Sequence, residues 1–164
     1  MISELVYCFD RTLEFVKEQV ADLTNEDMVL QPAGVPNNAA WTLGHIICSC
    51  QLIAAEMGVE PSLPDDWEAA FGQGSRPSQG ISWRSSKIAL LAALEDASQR
   101  LRDALLEINE SDLADPLPDK KARELFPTMG HALVQVIAGH MAYHAGQLAT
   151  WRRAIGRKPM GVFV

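Results

Sequence analysis

Apolar residues recur at steps of three and four along four separate stretches of this chain, and nowhere over a useful length do they alternate with polar residues at every second position. The first pattern suits a helix with one buried face, and the second is what a half-buried strand requires. An all-α fold is expected. The first stretch runs from Ser3, a residue type suited to an N-cap, to about Asp22, with Leu5, Phe9, Leu13, Val16 and Val20 on one stripe. The second begins near Asn38 and ends at Met57, with Gly58 as a stop, and its stripe carries Trp41, His45, Cys48, Leu52 and Ala55. The third runs from about Trp83 to Ile108 through Ile88, Leu91, Leu94, Leu101 and Leu105. The fourth follows Thr128 and stops at "AIGRKP", where Gly156 suits a left-handed C-cap and Pro159 blocks continuation. Its stripe reads Leu133, Val136, Ile137, His140, His144, Leu148 and Trp151.

Four such helices in 164 residues predict a four-helix bundle occupying one domain, residues 1–164. The link from residue 58 to residue 82 is rich in Gly, Pro and Ser and long enough to cross the length of the bundle, with a short helix expected at "DDWEAAF". Helices two and three then run parallel. An echo between "ADLTNEDMVLQP" and "LEINESDLADPLP" suggests two related hairpins and the order up-down-down-up, with a long crossover between helices two and three. That order sets the end of the fourth helix beside the start of the second.

A formal charge of −7 argues against general affinity for nucleic acid, which needs a positive surface. Arg152, Arg153, Arg157 and Lys158 are a local exception, read as complementing the carbonyl end of the last helix rather than as an anion site. No apolar run approaches the roughly 20 residues of a membrane helix, and Glu4 and Asp10 stand where a secretory signal would be basic and then apolar. Three cysteines without a CxxC pair fit a reducing compartment. A cytoplasmic location is expected.

Of four histidines, His140 and His144 lie one helical turn apart in "HMAYHAGQL", so their rings can aim at one point. His45, in the second turn of the second helix, comes to a similar height if the helix ends meet as expected. Three imidazoles buried in one bundle each need partners, and one divalent cation satisfies all of them; the alternative is that they only pack. His131, about half a turn out of phase, is read as a non-ligand. The zinc-protease pattern HExxH is absent, because Met141 stands in place of its glutamate.

"WTLGH" in the second helix, "HMAYHAGQL" near the chain end and an Arg-containing helix terminus together resemble the DinB-like family of metal-binding four-helix proteins, also called the YfiT-like or bacillithiol-transferase-like superfamily. The resemblance covers nearly the whole chain. It implies that His45, His140 and His144 ligate one divalent metal (zinc, nickel or manganese), with water completing an open coordination sphere. It also implies a use for such a centre, because some members transfer or isomerise small molecules with a low-molecular-weight thiol such as bacillithiol or mycothiol. The second function class is a non-catalytic module that binds a metal or a small ligand.

Periodicity adds candidate pocket residues. Trp41 and Trp151 either pack the core or touch substrate, Cys48 is a small buried residue or a fourth ligand, and Gln147 bonds a ligand or a neighbouring loop. Gly146 is read as allowing close approach of a helix, and the linkers 23–38 and 72–82 as overhanging the metal end, where substrate would be selected. The expected partners are a small-molecule substrate and, in a bundle this small, a second copy in a homodimer whose interface the sequence does not locate.

Overall fold

The computed structural model describes residues 1–80, 82, 85–158 and 160, and every regular element among them is helical. The elements are α1 (Ile2–Val20), α2 (Asn25–Met28), α3 (Ala39–Glu56), α4 (Asp66–Phe71), α5 (Lys87–Glu107), a 3-10 turn (Glu110–Ala114) and α6 (Ala122–Leu125), followed by the last rod. That rod is α7 (Met129–Val134), a π-helical turn (Gln135–His140) and α8 (Met141–Ala154), joined without a break in right-handed helical backbone.

Local chemistry explains most boundaries. The Asn38 side chain accepts from the Trp41 amide and starts α3, and Gly58, at φ +85°, follows its end in a conformation that side chains rarely adopt. Ser86 caps α5 by accepting from the Ala89 amide; the expected start near Trp83 and the stop at Pro159 fall on residues outside those described. Ser3 is not a cap either, because α1 already starts at Ile2 and the Ser3 hydroxyl donates to the Glu4 carboxylate.

Long-range bonds orient the rods. The Lys87 ammonium donates to the Ala21 and Leu23 carbonyls, and Arg102 pairs with Asp10, so α1 and α5 run antiparallel. Arg152, only 2% exposed, ties the end of α8 to the end of α1 by donating to the Gln19 carbonyl and the Asp22 carboxylate. Arg157 pairs with Asp22 and Asp27. Two of the basic residues at this helix end are thus held by internal acids, and Arg152 holds Asp22 below the usual carboxylate range.

The stripe of α1 is buried as read, whereas Leu52 and Ala55 of α3 and Ile88 of α5 face solvent. The cause for α3 is position: residues 39–48 are buried on every side, packed by α4, α5 and α8, so periodicity has no single face to report. On α5 the inward positions are Leu90, Leu94, Leu101 and Leu105, and Ile88 lies off that face. No helix among the described residues is long and apolar enough to cross a membrane.

Candidate metal centre

Trp41, one turn before His45 on α3, stacks flat on the His45 ring, with centroids 4.8 Å apart and planes within 9°. Its indole nitrogen donates to the Ser75 hydroxyl at 2.8 Å, which fixes the indole against the crossover. The other side of His45 is set by α4. The Phe71 carbonyl lies 2.7 Å from His45 Nδ1, and a carbonyl only accepts, so Nδ1 carries the hydrogen and Nε2 presents a lone pair. Gly44 makes this approach possible, since a Cβ there would sit 2.3 Å from the Phe71 ring.

His144 is held by the same logic. The Gln147 side-chain oxygen accepts from Nδ1 at 2.8 Å, again leaving Nε2 as a lone pair. His140 stands between the two, its Nε2 3.1 Å from Nε2 of His45 and 3.1 Å from Nε2 of His144. One hydrogen on His140 Nε2 could serve only one of these neighbours, and its buried Nδ1 has no partner. A single cation satisfies all three converging nitrogens, so the donor set fits a divalent metal. Burial first, then the adjacent imidazoles, push His140 and His144 down to about 4, so at neutral pH both are in the uncharged form that a metal requires.

The π turn ends at His140. Leu133, Ile137 and Met141 are each fully buried at four-residue steps, which overshoot an α-helical turn by about 40° apiece. A wider turn absorbs that excess and keeps these residues on the core while His140 and His144 face α3. The repeated four-residue step is the sequence signal that could have revealed it.

Cys48 is not among the clustered donors. Its thiol donates to the Trp67 carbonyl at 3.7 Å, and burial, reinforced by the Glu68 charge, pushes it up to about 11. Trp151 is core: 1% exposed, it donates to the Leu30 carbonyl at 3.0 Å and pins the stretch after α2. The Gln147 side-chain oxygen bonds His144 itself. Gly146 does not serve helix approach, since a Cβ there would meet nothing within 4 Å. His131 is exposed and bonded to the Thr128 hydroxyl. Among the described residues no carboxylate joins the three imidazoles.

The sequence profile of the DinB superfamily matches residues 8–148. The chain belongs to the DinB superfamily. That family binds metal, and in this DinB chain His45, His140 and His144 form a possible metal site, their ligand atoms within 4.8 Å of one another. The fold agrees with a solved relative described as a conserved protein of locus from Enterococcus faecalis, at TM-score 0.74 and 22% identity, covering 96% of this chain and 98% of that one. No curated protein matches.

Acid should weaken the metal-free protein. His140 and His144 have an unfolded value of 6.5 and a folded one of about 4, so between these the unfolded chain binds more protons and stability falls as pH falls. A series of urea midpoints on chelator-treated protein from about pH 7 to about pH 4 is expected to decline through this window. A flat series would show that burial does not hold the two rings neutral.

Proposed function

We propose that His45, His140 and His144 hold one divalent cation (zinc, nickel or manganese) and that the centre serves thiol-dependent transfer or isomerisation of small molecules. The observation that carries this reading is the meeting of three Nε2 atoms, two of them kept free of hydrogen by the Phe71 carbonyl and the Gln147 oxygen. A cation bound by three neutral ligands supplies Lewis acidity that lowers the pKa of a thiol or of water.

The protein's own residues favour the thiol. Among the described residues no carboxylate stands in the cluster to take a proton, and a thiol, with a pKa near 8.5, needs far less help to ionise than water. Trp41 covers one face of His45 and limits access of water from that side. Cys8, Cys48 and Cys50 are all unpaired thiols, which fits a reducing, cytoplasmic setting. An up-down-down-up order for the bundle is supported by the antiparallel pairing of α1 with α5 and by Met57, at the end of α3, sharing a cavity wall with Ala104 and Glu107 of α5.

The missing carboxylate also favours a second reading, a module that binds metal without turnover. Metal-loaded protein, incubated with bacillithiol, mycothiol, glutathione or cysteine and a panel of chromogenic electrophiles, is expected to consume thiol at a rate that His144→Ala abolishes. If no combination exceeds the protein-free rate, the binding module is the better account.

A further inference from the structure

Among the described residues four glycines take positive φ in turns, but Gly146 does not; it sits in the middle of α8 with ordinary helical backbone. In that position glycine weakens a helix more than any residue except proline. Packing explains Gly44, whose Cβ would strike Phe71 at 2.3 Å, and Gly130, whose Cβ would lie 3.0 Å from the Leu113 carbonyl. It does not explain Gly146, where a Cβ would meet nothing within 4 Å. The fold gains nothing from this glycine, so the space above it calls for another reason.

That space is an open groove of about 410 Å³ between the chain from Gly34 to Asn37 on one side and Tyr143, Gly146, Gln147 and Thr150 on the other. Among the described residues no charged side chain lines it. Along the rod, steps of three and four place His140, Tyr143, Gln147 and Thr150 on one ridge, so three residues of the groove wall follow His140 on the same side of the helix. Two of its walls touch the centre directly: the Tyr143 ring lies edge-on to His144 at 5.1 Å, and Gln147 holds His144 Nδ1 at 2.8 Å.

The geometry points to a subsite for the uncharged, apolar arm of the small molecule that reacts at the three histidines. This assignment rests on the reading of that centre as the reacting one. A charged arm would lose water in the groove without meeting an opposite charge, whereas Val35, Pro36 and the Tyr143 ring offer apolar contact. Gly146 provides the floor by having no side chain.

The test uses three probes of one shape and different charge, benzamide, benzamidine and benzoate, titrated into isotope-labelled protein while the amide signals of Gly34 and Gly146 are followed by NMR. Benzamide is expected to shift these signals, with the two charged probes binding about tenfold or more weaker. The formal charge of −7 would attract benzamidine to the surface in general, so a preference for benzamide marks the groove itself. Gly146→Leu, or Thr150→Trp on the exposed rim if the first variant folds poorly, is expected to weaken benzamide at least about tenfold. Gly146→Ala should raise the thermal midpoint by about 2–4 °C, as an unhindered helical glycine predicts. Equal binding of the three probes, or benzamide binding unchanged in both filling variants, would overturn the proposal. Metal content is measured on the same samples. Benzamide binding in protein that takes up no metal would sink the reading of the centre and leave the groove standing, and metal-loaded protein with a silent groove would do the reverse.

Discussion

Native protein is expected to purify with about one equivalent of divalent metal, and protein carrying His144→Ala with almost none. The magnitude follows from how few donors there are. Binding free energies of protein zinc sites run at about 10–16 kcal/mol, so removing one of three ligands removes about 3–5 kcal/mol, two to four powers of ten in affinity. Gln147→Leu should give a smaller loss, about tenfold to a hundredfold, because it keeps the ligand and releases only the hydrogen bond that holds Nδ1. Plasma mass spectrometry after identical supply of zinc, nickel and manganese, with chelator competition to rank affinities, reads both effects. His144 is 5% exposed and its truncation leaves a cavity, so His144→Asn, closer in size, is measured alongside, with thermal melts in excess chelator as the fold control. Metal retained at full stoichiometry in both variants, or absent from the native protein under all three supplies, would mean that the three imidazoles only pack.

The meeting of the three histidines was legible in the sequence because a helix converts spacing into direction. A four-residue interval is enough to put His140 and His144 on one face, and Asn38 and Gly58 mark both ends of α3, so the height of His45 could be read from its distance to the cap. What orients the imidazoles was not legible. The hydrogen on His45 Nδ1 goes to a backbone carbonyl 26 residues away, and every residue has a carbonyl, so nothing in the sequence singles out Phe71. The short helix at "DDWEAAF" was expected, but not that its last residue would sit on the metal end. Leu52 and Ala55 show the opposite failure: at that level the covered side of α3 carries Cys50, Ile53 and Ala54, and the stripe read through Cys48 points to the open side. The π turn was not legible because no residue type marks one and its apolar residues continue the stripe of an ordinary helix; only the four-residue step of the buried positions around it carries the information.

Gly44→Ala is expected to damage both stability and metal binding, although the same substitution at Gly146 should stabilise. At either site alanine gains up to about 1 kcal/mol of helix propensity over glycine. At Gly44 the new methyl would lie 2.3 Å from Phe71 ring carbons and 7% exposure leaves the ring nowhere simple to go, so overpacking of about 1–3 kcal/mol wins. The ring moves only by carrying its own backbone, and that backbone supplies the carbonyl on His45 Nδ1. Metal affinity should therefore fall by about tenfold to a hundredfold together with the denaturant midpoint. The decisive measurement is the double-mutant cycle with Phe71→Leu, whose smaller side chain makes room for the methyl. The double variant is expected to bind metal more tightly and melt higher than Gly44→Ala alone, a coupling that independent sites do not show. If Gly44→Ala loses stability but keeps native metal affinity, the Phe71 carbonyl is a neighbour of His45 rather than the group that orients it, and the imidazole must be held by its stack on Trp41 instead.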